Sequence, residues 1–163
     1  MKILKTDCLS DGFRMPGEFE KQDGCLMIYP WRPGSWNYNA KYARDVFVEI
    51  AHILGAYEDV YMIVRPEDMN EAITRLDHPH IHIIEASSDD AWARDTGPTF
   101  VINDKGERRG INWEFNAWGG SYDGLYSHWE NDQLIPNHLC KYLGDDLYEA
   151  RPFVLEGGSI HVD

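Results

Sequence analysis

The sequence is poor in cysteine and in basic residues, and it has no long apolar run. Its three cysteines, Cys8, Cys25 and Cys140, lie far apart and form no Cys-x-x-Cys pair, so the sequence predicts neither a disulfide framework nor a zinc ribbon. No segment reaches the roughly 20 apolar residues of a membrane-spanning helix. Residues 1–13 also lack the apolar core of a secretory signal. These absences predict free thiols, no membrane partner and a cytoplasmic location.

The balance of charge is strongly acidic. Fifteen lysine and arginine residues stand against 28 aspartate and glutamate residues, which gives a formal net charge of −13. Such a field repels phosphate groups, so nucleic acid and anionic membranes are not expected partners. A small cationic substrate would suit it, although solubility alone also explains the charge. The sequence has no Gly-x-Gly-x-x-Gly motif, and a nucleotide-binding interpretation therefore lacks its main support.

The pattern of apolar residues predicts a mixed α/β protein with one real core. A length of 163 residues with 43% hydrophobic residues is typical of a globular domain. Strands are predicted at 25–29, 60–64, 81–84, 99–102, 110–115, 152–155 and 159–163, and helices at 40–54, 66–76 and 132–143. The first helix is expected to bury one face, formed by Ala43, Val46, Phe47, Ile50, Ala51 and Leu54.

A charged loop, residues 87–98, lies between two predicted strands in the middle of the chain. Its charged and aromatic members are Asp89, Asp90, Trp92, Arg94 and Asp95. Carboxylates can accept paired N–H bonds from a guanidinium, and an indole face adds cation–π attraction, so the loop suits a compact planar cation. An equally acceptable interpretation is structural: the aspartates cap a turn, the arginine pairs with one of them, and the tryptophan fills the core.

Two histidine patterns accompany this loop. His78, His80 and His82 alternate into the strand at 81–84, and a solvated strand face explains them better than a metal site does. His161 and Asp163 are two residues apart, which would place them on one face of the strand predicted at 159–163. A histidine can transfer protons near neutral pH, and a neighbouring carboxylate can bind a cation or keep the imidazole charged.

Five segments together resemble the agmatine deiminase family, a branch of the guanidine-modifying enzymes that also includes the peptidylarginine deiminases. They are Asp11-Gly-Phe-Arg-Met-Pro-Gly-Glu-Phe-Glu20, Trp31-Arg-Pro33, Asp89-Asp-Ala-Trp-Ala-Arg-Asp-Thr-Gly-Pro98, Asn116-Ala-Trp-Gly-Gly120 and Glu156-Gly-Gly-Ser-Ile-His-Val-Asp163. The resemblance implies a pentein-type α/β-propeller with pseudo-fivefold ββαβ repeats, of which this chain would supply the first blades. It further implies hydrolysis of agmatine to N-carbamoylputrescine and ammonia, in putrescine biosynthesis or agmatine catabolism, with no cofactor and no metal.

The resemblance also implies roles for individual residues. Asp95 and Asp163 would bind the guanidinium, His161 would be the general acid and base, and Trp92 would line the pocket. Glu156 would lie beside the guanidinium or orient His161, and Asp90 or Asp89 is a weaker candidate for the cationic tail of the substrate. Family members attack the guanidinium carbon with a cysteine thiolate and form a covalent amidino-cysteine intermediate.

The three cysteines of this chain do not lie in the family's nucleophile motif, which occurs beyond a position matching Asp163. Residues 1–163 are therefore expected to be an N-terminal portion of a single deiminase domain, inactive when isolated. Two alternatives remain: a peptidylarginine deiminase-like enzyme, and a non-catalytic fragment that binds guanidinium compounds or assembles with a partner. A homo-oligomer or a complementing C-terminal part is possible under each of them.

Overall fold

The computed structural model describes all residues from Met1 to Asp163, which form two compact units. One unit comprises residues 22–93, and the other comprises residues 1–21 together with residues 94–163. Each unit has its own β-sheet: the first has three strands and the second has four. The mixed α/β content expected from the sequence is present in both.

The unit of residues 22–93 is a parallel sheet with helical crossovers. Its strands are β2 (Gly24–Ile28), β3 (Asp59–Val64) and β4 (Ile81–Glu85), in the order β2-β3-β4. Parallel neighbours need a long connection, and helices α1 (Lys41–Gly55) and α2 (Met69–Arg75) provide the two crossovers. Short 3-10 turns, Asn37–Ala40 and Pro66–Asp68, precede these helices. The core contains Met27, Tyr29, Ala51, Val60, Met62, Val64, Ala72 and Leu76.

The buried face of α1 differs from the predicted one. Phe47 and Ala51 pack on the core as expected, but Val46 and Ile50 are 51% and 40% exposed. The helix is rotated because Arg44 also belongs to the inner face, where its guanidinium bonds the carboxylates of Asp68 and Glu71. Successive residues of a helix are about 100° apart, so a face centred on Arg44, Phe47 and Ala51 turns Val46 and Ile50 outward.

The other unit combines a β-hairpin with a parallel crossover. Its strands are β1 (Ile3–Leu4), β5 (Thr99–Ile102), β6 (Arg108–Glu114) and β7 (Asp146–Val154), in the order β1-β7-β6-β5. Strands β5 and β6 are antiparallel around a turn at residues 103–107, and α5 (Ile135–Leu143) leads from β6 to its parallel neighbour β7. Further short elements are α3 (Ala93–Thr96), α4 (Gly120–Asp123) and the 3-10 turns Asp132–Leu134 and Gly157–Ser159. Phe13, Val101, Ile111 and Tyr148 form one core cluster.

Most predicted elements are present within a few residues, but several differ or were not predicted, among them the short helices α3 and α4. Strand β7 begins at Asp146, six residues before the predicted start, and the short strand β1 was not predicted. The strand predicted at 159–163 is wrong, since residues 157–159 form a 3-10 turn and residues 160–163 have no regular structure. None of the helices is long and apolar enough to span a membrane.

Candidate active site

Two of the predicted binding segments lie at one edge of the parallel sheet. The Trp31–Trp36 loop follows β2 shortly after its carboxyl end, and the Asp89–Trp92 segment follows β4. Because all three strands run in the same direction, their carboxyl ends meet at the same edge, where open α/β sheets commonly bind ligands. Both loops flank the end of the central strand β3.

Polar side chains of the first loop hold the backbone of the second. The indole Nε1 of Trp31 donates to the carbonyl oxygen of Ser88 at 3.0 Å, and Nη1 of Arg32 donates to that of Asp89 at 3.1 Å. The guanidinium of Arg65, which follows β3, lies 3.7 Å from the centre of the Trp31 ring. A stacked guanidinium at this distance adds cation–π attraction, so all three strand-end segments contribute to one contact network.

Asp90 is at the centre of this network. Its side chain is fully buried, and its carboxylate accepts hydrogen bonds from the Trp36 indole at 2.9 Å, the Ala91 amide at 2.8 Å and the Ser35 hydroxyl. Trp36 in turn stacks on Trp92, with ring centres 6.0 Å apart and planes 25° from parallel. The structure therefore gives Asp90 a clear role in shaping the loop, and Asp89 is also buried.

The other predicted segments meet in the second compact unit. One carboxylate oxygen of Asp95 accepts a hydrogen bond from the Gly157 amide at 3.0 Å. Arg94 donates through Nε to the Gly157 carbonyl at 3.1 Å and through Nη1 to Glu18 at 2.7 Å. The structural interpretation of the loop predicted that Arg94 pairs with Asp89 or Asp90. In the structure, the ion pair of Arg94 is with Glu18. These contacts fix half-buried Asp95 beside the Glu156–Gly157 turn.

The remaining predicted site residues, Glu156, His161 and Asp163, have exposed side chains. The amide and hydroxyl of Ser159 both bond the Glu156 carbonyl, at 2.9 and 2.6 Å, and this closes a turn in place of the predicted strand. His161 and Asp163 therefore do not share a strand face, and that prediction is wrong. Their roles as proton donor and guanidinium ligand stay predictions that depend on the family resemblance.

The surroundings of the three cysteines indicate structural roles. Burial raises the pKa of the Cys25 thiol on β2, with a further contribution from Glu58. Burial, assisted by Asp145, raises the pKa of Cys140 on α5 to about 12. Cys8 packs against the Phe13 cluster. Because a thiolate is the reactive form of cysteine, Cys25 and Cys140 are poorly suited to nucleophilic attack at neutral pH.

The three alternating histidines do not form a metal site. Asp59 accepts contacts from His80 at 2.9 Å and His82 at 3.2 Å, and these hydrogen bonds lower the pKa of the Asp59 carboxyl. His78 is engaged by the His80 amide at 3.2 Å. No group of three or more ligating side chains in the structure could hold a metal ion. Only His82 lies in β4, since His78 and His80 precede its first residue, so the prediction that all three share one strand face is wrong.

Sequence reasoning missed several residues that hold the loops. Ser35 and Trp36 bind Asp90, and Gly157 makes the close contact with Arg94 and Asp95. Of this loop, the sequence analysis singled out only the Trp31-Arg-Pro33 segment. A buried aspartate needs several hydrogen-bond donors. A search for indole and hydroxyl donors in the other predicted strand-end loops could have found Ser35 and Trp36. The Gly157-Gly158 pair was the available signal for a close backbone approach.

Comparison with known proteins agrees with the motifs. The family model described as Porphyromonas-type peptidyl-arginine deiminase matches residues 14–163. A curated protein of Pseudomonas syringae pv. tomato named agmatine deiminase is 45% identical over 163 residues, which is all of this chain and 44% of that protein. A Streptococcus mutans relative, provisionally named an agmatine deiminase, is 49% identical over 99% of this chain and 45% of its own length. The chain thus spans about 45% of the length of these relatives.

The solved structure of the agmatine deiminase of Enterococcus faecalis has a TM-score of 0.94 with this chain and is 43% identical to it. The match covers 99% of this chain and 44% of that one. The expected pentein-type α/β fold class is confirmed by this likeness. With 150 of its 163 residues (14–163) matched by the family model, this chain belongs to the Porphyromonas-type peptidyl-arginine deiminase family.

Proposed function

We propose that this chain contributes the guanidinium-binding part of an agmatine deiminase. The contact that carries the proposal is the Asp95–Gly157 hydrogen bond, which fixes a carboxylate of the acidic loop beside the segment that leads to His161. The name of the relatives and the net charge of −13, which favours a cationic substrate, support it. The catalytic thiolate would come from a further segment, as in the family, so residues 1–163 form the N-terminal portion of one catalytic domain.

The proposed reaction divides the work between carboxylates, a histidine and a thiolate. A guanidinium carbon is a poor electrophile because its charge is delocalised, and Asp95 and Asp163 would orient and localise that charge. The thiolate adds to the carbon, and the C–N bond to the terminal amino group breaks as His161 protonates the departing ammonia. His161 then removes a proton from water, which attacks the carbon and breaks the C–S bond. The products are N-carbamoylputrescine and the free thiol.

The remaining residues would shape and line the pocket. Trp92 would present its ring to the substrate, with Trp36 stacked behind it. Asp90 would act by holding Ser35 and Trp36, and its direct contact with the cationic tail, like that of Asp89, stays a prediction. Glu156 would contact the guanidinium or orient His161. Neither cofactor nor metal is required by this scheme, and a cytoplasmic enzyme of putrescine formation or agmatine breakdown is the setting that we propose.

A chimeric enzyme tests this proposal directly. Residues 1–163 replace the matching segment of the Enterococcus faecalis agmatine deiminase, and ammonia and N-carbamoylputrescine are measured with agmatine as substrate. We expect turnover, a loss of about 100-fold or more in His161→Gln, and a raised KM in Asp95→Asn. The matched control is His128→Gln, because the His128 side chain is 79% exposed and outside the predicted site. The isolated 163-residue chain is expected to show no turnover.

The same chimera separates the alternatives. The description of the matching family model favours a peptidylarginine substrate as the second candidate. Citrulline formation in an arginine-containing peptide, without turnover of agmatine, would replace our proposal with that one. A folded chimera that binds agmatine but turns over neither substrate would instead support a binding fragment. Full activity in His161→Gln would remove His161 from the mechanism.

A further inference from the structure

Asp68 is a buried carboxylate that none of the predicted motifs includes. It ends the 3-10 turn Pro66–Asp68 after β3 and is 9% exposed. One of its oxygens accepts hydrogen bonds from Nε and Nη2 of Arg65, at 2.9 and 2.6 Å, and the other accepts one from Nη2 of Arg44 at 2.7 Å. The side chains of these arginines are 14% exposed for Arg44 and 18% exposed for Arg65. One carboxylate therefore holds two largely buried guanidinium groups.

Both arginines also contact the start of the first loop of the candidate site. Nε of Arg44 donates to the carbonyl oxygen of Pro30 at 2.9 Å, and the guanidinium of Arg65 lies 3.7 Å from the centre of the Trp31 ring. A guanidinium is planar and rigid, so two hydrogen bonds to a fixed oxygen set its orientation, and its stacked face then sets the plane of the indole. Asp68 thereby fixes both the backbone and the aromatic side chain at this place.

Trp31 connects the arginines to the acidic loop. Its Nε1 donates to the Ser88 carbonyl at 3.0 Å, two residues before Asp90 and four before Trp92. Ser88 is 2% exposed and Asp90 is fully buried. Closely packed segments transmit displacements of their neighbours. A shift of the Trp31 ring would therefore move the segment that carries the predicted substrate contacts.

Stability alone is a weak explanation for three charges in this position. Replacement of a buried ion pair by packed apolar side chains is often neutral or stabilising. What a carboxylate between two guanidinium groups provides is a fixed direction for each of them, because charged hydrogen bonds are short and directional. Here both directions lead to the Pro30–Trp31 dipeptide.

We propose that Asp68 is a positioning residue for the substrate-binding segment Asp89–Trp92, and that it acts through Arg44, Arg65 and Trp31. The inference rests on the proposed function, because that function assigns substrate contacts to this segment. It predicts that Asp68 influences the binding of agmatine more than the chemical step.

Steady-state kinetics of the chimeric enzyme with agmatine test the proposal. Asp68→Asn keeps the shape of the side chain and removes its charge, and we expect KM to rise about tenfold while kcat stays within about twofold of the wild-type value. A purely structural effect would lower the amount of folded enzyme, which reduces the apparent kcat and leaves KM unchanged. An unchanged KM in Asp68→Asn would overturn the proposal.

Asp145→Asn is the matched control, because it disrupts a similar arrangement elsewhere. Asp145 accepts a hydrogen bond from Nε of Arg108 at 2.7 Å, and the Arg108 guanidinium lies 5.3 Å from the centre of the Phe100 ring. This group lies at the amino ends of β6 and β7, away from the predicted substrate contacts of the acidic loop. Its substitution should leave KM at the wild-type value.

A double-mutant cycle tests the route through Trp31. Trp31→Phe keeps an aromatic face for Arg65 and removes the N–H donor to Ser88, so it should also raise KM. Because both changes act on the same contact, the double variant with Asp68→Asn should have the KM of Trp31→Phe to within about twofold. Effects that multiply in the double variant would exclude Trp31 as the connection and overturn the route proposed.

Hydrogen exchange separates a failure of this inference from a failure of the proposed function. In the chimera, Asp68→Asn should speed amide exchange of residues 87–92 about fivefold or more relative to exchange in β3, and Asp145→Asn should not. A wild-type chimera without turnover would reject the deiminase proposal, whereas faster exchange would still support Asp68 as the residue that positions the segment. Unchanged exchange at residues 87–92 would overturn the inference whether or not the chimera is active.

Discussion

The carboxylate of Asp95 and the backbone amide of Gly157 are joined by a hydrogen bond of 3.0 Å, although 62 positions separate them in the sequence. Arg94 completes the contact by donating to the Gly157 carbonyl. Both hydrogen-bonding groups of one glycine are thereby engaged by consecutive side chains of the acidic loop. This arrangement requires the backbone of residue 157 to come close to that of Arg94, which a side chain would prevent.

Gly157→Ala is therefore expected to destabilise the protein. A Cβ at this position would collide with the carbonyl oxygen of Arg94, so the turn must shift and the hydrogen bonds to Arg94 and Asp95 lengthen. Overpacking of this kind costs about 1–3 kcal/mol, and urea denaturation would measure the loss in free energy of unfolding.

The neighbouring glycine provides the control for this prediction. A Cβ at Gly158 would meet nothing within 4 Å, so Gly158→Ala should change the free energy of unfolding by less than about 0.5 kcal/mol. Equal effects of the two substitutions would mean that backbone flexibility, and not the contact with Arg94, limits position 157.

Local sequence signals were sufficient for most of the fold. The positions of most strands and of the three longer helices follow from the apolar pattern, and Gly144, where φ is +80°, ends α5 because glycine favours that backbone conformation. The orientation of α1 could not be predicted in the same way. A pattern of apolar residues does not indicate that a charged residue faces inward and binds carboxylates that are distant in the sequence. Arg44 does so through Asp68, 24 positions away.

The candidate site was predictable in its residue types and less so in its geometry. The family resemblance gave Asp90 only as a weaker candidate for the cationic tail, and its burial depends on donors from Ser35 and Trp36, more than 50 positions earlier. The strand at 159–163 was predicted from alternating polarity around His161. The Ser159 contacts with the Glu156 carbonyl stabilise a turn there, and alternation over so few residues does not exclude one.

Removal of the Asp90 carboxylate should loosen the whole loop cluster. Asp90→Ala leaves the half-buried donors of Ser35 and Trp36 and the buried amide of Ala91 without this acceptor, which we expect to cost about 2–4 kcal/mol of stability. Asp90→Asn retains one acceptor oxygen and should cost less. Urea denaturation followed by tryptophan fluorescence reports both the stability and the environment of the Trp36–Trp92 stack.

An exposed aspartate of the same unit is the control for this experiment. Asp77→Ala, at a position with an exposed side chain, should change stability by less than about 0.5 kcal/mol. If Asp90→Ala were as stable as the wild-type protein, the loops would have to be held by the Trp31 and Arg32 contacts alone.

Among the basic residues, we expect substitution of the largely buried Arg44 to cost the most stability. Its side chain is 14% exposed and bonds Asp68 at 2.7 Å, Glu71 at 2.5 Å and the Pro30 carbonyl at 2.9 Å. Arg44→Met leaves partly buried carboxylates without this partner and should cost about 3 kcal/mol, measured by urea denaturation. Lys141→Met, at an exposed lysine of α5, is the control and should be nearly neutral. A neutral Arg44→Met would mean that Arg65 alone compensates Asp68.

Glu20, in the N-terminal motif, is expected to make the stability of the protein depend on pH in the acid range. Glu20 accepts two hydrogen bonds from Arg14, at 2.7 and 3.0 Å, and one from the Gly17 amide at 2.9 Å. The Arg14 bonds, followed by the Gly17 bond, lower the pKa of Glu20 from 4.5 to about 2. A carboxyl group whose pKa is lower in the folded state stabilises the protein above its unfolded value. The contribution of Glu20 is thus complete above pH 4.5 and is lost as the pH falls towards 2.

Glu20→Gln should remove that part of the acid destabilisation. The variant is expected to be less stable than the wild-type protein at pH 6, and the difference should shrink progressively between pH 4.5 and pH 2, because the wild-type carboxylate becomes protonated over that interval. Urea denaturation at several pH values measures the difference, and an NMR titration of the Glu20 carboxyl carbon gives its pKa directly. Glu67→Gln, at an exposed glutamate, should follow the wild-type pH dependence. A Glu20 carboxyl that titrates near 4.5 would show that its bonds with Arg14 do not persist in solution.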